Sequence, residues 1–177
     1  MPTTTSSVST QHPAYVAINP DWIKVRDFAA GPRAVKSKRT TYLPATSGMR
    51  QKGFGSTSGQ TEGDALYSSY LTRAVVPELI KPAVNALVGV MHREAAEIQL
   101  PKVMEPLRAN ATLEGESLLT LLRRINTEQV EVGRIGLLID VPIGNAGVLP
   151  YIVTYDAENI INWDCSRRPD GRERPDF

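Results

Sequence analysis

The side chains able to do chemistry are few and scattered. His12 and His92 are the only histidines, the first in a Ser/Thr-rich opening stretch and the second beside Arg93. A zinc-binding helix with paired histidines, or a His-containing triad, is therefore not encoded locally. Cys165 is the single cysteine, which excludes an intramolecular disulfide and leaves a thiolate-based zinc site short of ligands. Its neighbour Asp164 disfavours the thiolate, so the thiol reads as reduced, unreactive and intracellular. Gly53-Phe54-Gly55 with Gly59 has the glycine count of a phosphate loop, but no Lys-Ser or Lys-Thr follows and no strand pattern precedes it. Glu114 and Glu116 are spaced to point apart on a helix and read as acidic charge near a helix N-terminus. From the residues alone the expectation is a binding or assembly protein, not an enzyme, with neither cofactor nor metal.

One charged feature remains. Residues 1–63 carry eight basic and three acidic side chains, whereas residues 64–164 carry eight and thirteen. The excess sits in Arg33, Lys36, Lys38, Arg39, Arg50 and Lys52, a stretch able to meet phosphates or an acidic neighbour. It lacks the regularly interleaved aromatics on which bases stack. The plain alternative is a solvated loop; another is a basic arm laid on an acidic body of a neighbouring subunit. A small nucleic-acid-binding module using residues 33–52 is the competing function, and it predicts affinity that falls steeply with salt.

The elements that must position these groups can be read from pattern. With 177 residues and a net charge of +1, the chain is expected to hold a single domain with a core of its own. Residues 1–14, rich in Ser and Thr, read as a disordered tail. Trp22, Val25, Phe28 and Ala29 recur at helical spacing and predict a short helix over 20–30, capped by Asn19 or Asp21 and ended by Gly31-Pro32. Residues 46–63 contain five glycines and six Ser or Thr and read as a flexible loop. Leu66, Tyr67, Tyr70, Leu71, Ala74 and Val75 mark the next helix, with Asp64 as its cap.

Pro77 and Pro82 then predict a break near 76 and a second helix starting at Pro77. That helix, with Leu79, Ile80, Ala83, Val84, Leu87, Val88 and Met91, is apolar nearly all round and reads as the buried centre of the fold. Ser117 opens a further amphipathic helix to about Val132, stopped by Gly133. Leu137–Val141 and Tyr151–Tyr155 predict a β-hairpin around Gly144-Asn145-Ala146-Gly147, followed by a turn that Asp156 caps. Residues 165–177 read as a polar tail. No run of about 18 apolar residues exists, so no membrane partner is expected. The fold class is α+β: several helices with a small antiparallel hairpin.

Four segments together resemble the N-terminal region of tailed-bacteriophage portal proteins. They are Asp21–Asp27 with Tyr42-Leu43-Pro44, Arg73–Met91, Gly133–Pro142, and Tyr151–Trp163, in that order. The likeness covers about residues 13–163, and the last two segments are its most specific part. It implies a portal wing-like region over 15–164 and a homo-oligomeric ring, usually of twelve subunits, at one capsid vertex. DNA would be packaged and ejected through such a ring. Capsid, terminase and tail proteins are the implied partners, and the virion, with the host cytoplasm during assembly, the implied location. The family continues beyond the Asn-Trp segment into more strands and a channel-lining stem, so the resemblance implies a truncated member or prophage remnant. Gly133, Gly136, Asp140, Pro142, Asn159, Asn162 and Trp163 are the structural candidates. The two glycines are expected to permit a tight helix-to-strand connection. Asp140 is expected to accept hydrogen bonds at a strand end, and Asn159 and Asn162 to tie a turn.

Overall fold

The computed structural model describes residues 9–57, 59–141 and 150–163. The fold is α+β, helices with one two-stranded antiparallel sheet. The helices are α1 (Pro13–Ala29), α2 (Pro32–Ser37), α3 (Ser47–Gln51), α4 (Glu62–Arg73), α5 (Ile80–Met91) and α6 (Leu118–Glu131). The strands are β1 (Ile135–Asp140) and β2 (Tyr151–Asp156), paired with Ile139 opposite Ile152. None of the helices is long and apolar enough to cross a membrane. The chain divides into two compact units, Lys24–Pro82 and the rest.

The unit of residues 24–82 is organised around Tyr67 of α4, which is wholly buried and donates its hydroxyl to the carbonyl of Leu43 at 2.8 Å. Phe54 lies against its ring at a centroid distance of 4.4 Å. The stretch 46–63 is not a loop throughout. Thr46 caps α3, accepting from the Met49 N–H, and Thr61 caps α4 through a capping box with Asp64. The cap of α4 is thus Thr61 and not Asp64, whose carboxylate instead answers the Thr61 N–H.

Two glycines of this stretch are structural. Gly53 takes a φ of +86°, and a Cβ on Gly63 would lie 2.3 Å from the Met49 carbonyl oxygen. Composition alone reads such residues as flexible; here they let two backbone segments touch.

In the other unit, Tyr15 and Trp22 of α1 pack edge to face around Ala157, with Val132, Ile161 and Trp163 alongside. The helix begins at Pro13, not near residue 20, and Pro20, Asn19 and Asp21 lie inside it. Proline suits the first helical position, where its missing N–H has no intrahelical partner. His12 completes that start: its Nδ1 accepts from the Ala14 N–H at 3.1 Å, and its own N–H reaches the Ile161 carbonyl at 2.9 Å. Residues 12–14, expected in a tail, are thus held in place; residues 1–8 lie outside the described residues. The polar C-terminal stretch 165–177, Cys165 included, lies outside them too.

α5 starts at Ile80, three residues later than expected, which places Pro82 in the first turn and removes its conflict with a helical hydrogen bond. α6 matches its expected bounds, with Ser117 accepting from the Thr120 N–H and Gly133 at φ +85° just beyond the end.

Candidate assembly surfaces

The six basic residues of 33–52 are mostly committed to their own unit. Lys38 pairs with the buried carboxylate of Asp27 at 2.9 Å. Tyr42 donates its hydroxyl to the same oxygen. Burial works to raise the Asp27 carboxyl, but the hydrogen bonds from Tyr42 and Lys38 and the charge of Lys38 outweigh it and hold the group below the ordinary value. The Tyr42 phenol, bonded to that carboxylate and partly desolvated, is pushed up to about 12. Lys36 donates to the Thr72 carbonyl in the last turn of α4 at 3.2 Å, a favourable place for a cation. Arg39 lies over the Tyr67 ring at 5.2 Å, and Lys52 pairs with Glu62. Arg33 and Arg50 are exposed. Four of the six thus have partners within their own unit, while five of the six, all but Lys36, remain exposed.

The candidate structural residues are divided: Gly133 and Gly136 lie at the α6–β1 corner, Asp140 at the far end of β1, and Asn159, Asn162 and Trp163 follow β2. Gly133 turns the chain in the left-handed conformation, as its place at the helix end requires. Gly136 serves differently from the expectation. A Cβ there would fall 2.6 Å from Ile160 Cδ1, so glycine admits Ile160 against the strand. Asp140 accepts from the Val141 N–H at 2.8 Å and from the Tyr151 hydroxyl at 2.9 Å, tying the two strands together at the end where they are connected. Pro142 and the hairpin loop lie outside the described residues.

Asn159 and Asn162 are exposed, and neither side chain makes a hydrogen bond among the described residues. The turn they were expected to tie is held by the Tyr15 hydroxyl on the Glu158 carbonyl, 3.0 Å, and by the Ile160 N–H on Ala157. Asp156 stands at the start of that turn without a side-chain cap bond. Trp163 stacks on His12 at 4.2 Å and carries the Arg134 guanidinium at 3.9 Å from its ring centre. Burial lowers the affinity of that guanidinium for its proton.

A groove of about 730 Å³ runs beside β2, lined by Thr112–Glu116, Arg124 and Tyr151–Thr154. Three of its polar side chains are matched to one another. Arg124 bonds Glu116 at 2.7 Å and the Thr154 hydroxyl at 2.6 Å. Glu116, directly before the Ser117 cap of α6 as expected for a charge near a helix N-terminus, is also an ion-pair partner. The Ile152 N–H, at the strand's edge, reaches the Ala111 carbonyl at 2.8 Å. No cluster of three or more His, Cys, Asp or Glu fit to hold a metal occurs among the described residues.

The largest departure from expectation is α5. Only Val84 and Val88 are buried; Leu87, Val90 and Met91 are 56, 73 and 54% exposed. Ala83, Ala86 and Gly89 are exposed beside them. From Ala83 to Met91 the helix has no charged residue. The periodicity named the residues that favour burial, but within this chain only one narrow line of them is covered. No protein-family model matches the chain, and no curated protein matches it.

Proposed function

We propose that the chain is a structural assembly protein of the phage portal type, or the N-terminal part of one, whose work is to pack against copies of itself and against capsid and packaging partners. The observation that carries this reading is the uncovered apolar face of α5, Ala83 to Met91. A solitary soluble protein seldom leaves such a surface in water, whereas a subunit surface of this kind is removed from solvent on assembly. The small residues Ala83, Ala86 and Gly89 allow a neighbouring helix to approach closely, and Leu87, Val90 and Met91 supply the apolar area. The resemblance of four segments, in order, to the N-terminal region of portal proteins supports the same reading.

The test is size-exclusion chromatography with light scattering on the purified chain at low and high salt. A discrete oligomer that persists at high salt, and that Leu87→Glu/Val90→Glu disperses while circular dichroism is unchanged, is the expected result. A monomer at every concentration, with the double variant indistinguishable from the parent, overturns the proposal. Nucleic-acid affinity that collapses with salt would favour the basic-stretch module instead.

A further inference from the structure

The hairpin has a second open surface, and its chemistry is backbone rather than side chain. In an antiparallel pair, alternate residues direct both of their main-chain groups towards the partner strand or away from it. Ile152 bonds outward to Ala111, so its partner Ile139 also points outward, as do Leu137 and Ile135 two and four residues back. No hydrogen bond from the described residues reaches the outward N–H or C=O groups of these three. Natural edge strands are blunted by charge, proline or a bulge. The outer edge of β2 is occupied by Ala111 and flanked by the Arg124–Glu116 pair, but β1 carries no charge from Ile135 to Ile139 and pairs without a bulge. Leu137, Leu138, Ile139 and Val141 are 53, 49, 70 and 56% exposed.

We propose that this edge pairs antiparallel with β1 of a second copy, making a four-stranded sheet with Leu138 on the two-fold axis. The register follows from the residues. Placing Leu137 opposite Ile139 of the other copy aligns outward groups with outward groups and completes the ladder. It also sets Ile135 opposite Val141, Leu138 opposite itself, and Asp140 opposite Gly136, so no like charges meet. Sliding by one pair to oppose Asp140 with Arg134 would draw on a guanidinium already laid over Trp163. A pairing of about five to seven residues along one strand edge buries less than the roughly 800 Å² that each partner gives to a standard interface. The pair is accordingly weak and concentration-dependent. Being two-fold, it is separate from the head-to-tail contact a ring requires and does not rest on the portal reading.

The experiment uses the full chain with Cys165→Ser. Leu138→Cys is oxidised with copper phenanthroline and examined by non-reducing electrophoresis, beside Leu137→Cys as register control. Non-hydrogen-bonded partners stand about 4.5 Å apart at Cα, inside disulfide range, so Leu138→Cys is expected to give a covalent dimer and Leu137→Cys none. Sedimentation velocity from about 1 µM to about 1 mM, run with Leu87→Glu/Val90→Glu in place so that association through α5 is removed, is expected to show a rise with concentration. Ile139→Pro removes only an outward N–H and spares the β1–β2 ladder; Ile139→Lys charges the edge. Both are expected to abolish the rise with circular dichroism unchanged. Absence of the Leu138→Cys dimer, cross-linking through Leu137→Cys instead, or association that survives in both Ile139 variants overturns the inference. A larger oligomer untouched by the Ile139 variants leaves the portal reading standing without it, and a chain that stops at the cross-linkable dimer fails the portal reading alone.

Discussion

Replacing Gly63 by alanine sets two physical effects against each other, and the structure decides between them. Gly63 is the second residue of α4, where intrinsic propensity favours alanine by up to about 1 kcal/mol. The new Cβ, however, would sit 2.3 Å from the Met49 carbonyl oxygen, 2.5 Å from the Phe54 nitrogen and 3.0 Å from the Lys52 carbonyl oxygen. These are backbone atoms, so no side-chain rotation relieves the overlap. The hydrogen bonds of Gly63 N–H to Lys52 and of Phe54 N–H to Met49, 2.9 and 3.0 Å, must open as the segments part. Overpacking costs about 1–3 kcal/mol, and each strained hydrogen bond about 1 kcal/mol. Against the propensity gain, a net loss of about 2–4 kcal/mol is expected.

Gly48→Ala and Gly89→Ala are the controls, since a Cβ at either meets nothing within 4 Å. Both are expected to be neutral or to stabilise by up to about 1 kcal/mol. Urea unfolding followed by circular dichroism measures all three. Trp22 and Trp163 both belong to the unit outside Lys24–Pro82, so tryptophan fluorescence recorded in parallel shows which unit responds. A Gly63→Ala chain as stable as the parent, or as stable as the two controls, would refute the argument that the 46–63 stretch is a close-packed structure.

Two further outcomes follow from the geometry. The depressed Asp27 carboxyl contributes stability that is present above its ordinary value of 3.8 and is lost as pH falls through the lower value it has in the fold. Tyr42→Phe is therefore expected to move the acid-unfolding midpoint to higher pH, read by circular dichroism; the raised phenol contributes below its ordinary value of 10.0 and loses that contribution as pH rises through about 12, which the disappearance of one late-titrating tyrosine in the ultraviolet spectrum of the variant checks. Asn159→Ala and Asn162→Ala are expected to change stability by no more than about 0.5 kcal/mol in urea unfolding.

How much of this was legible before the structure depends on whether the signal was local. The stretch from Ser117 through α6, Gly133 and β1 could be read because a cap, a 3.6-residue period and a left-handed stop lie in consecutive residues. The strand expected over Tyr151–Tyr155 was equally clear, and it runs one residue further, through Asp156. The 46–63 segment was not, because glycine supplies both flexibility and close approach, and only the position of Met49 and Phe54 distinguishes them. The start of α1 was missed because His12 is capped in by residues some 150 positions away in sequence, and pattern within a window carries no trace of that. For α5 the apolar residues were correctly found and their environment was not: sequence states which side chains favour burial, not what covers them. Among the site candidates, Gly133 and Asp140 had local reasons; Asn159 and Asn162 sit where turn residues belong without bonding to anything.

The clasp between His12, Tyr15 and the 157–163 segment also governs the order of events during synthesis. The Tyr15 hydroxyl meets a carbonyl 143 residues further on, and Trp22 packs against Ala157. At translation speeds of about 5–20 residues per second, the first half of α1 leaves the ribosome roughly 7–30 s before its partners exist. Contacts within residues 24–82 close over at most a few dozen positions and can form in that interval. The opening helix is then the last piece to lock, and for that time Tyr15 and Trp22 are apolar bait for chaperones.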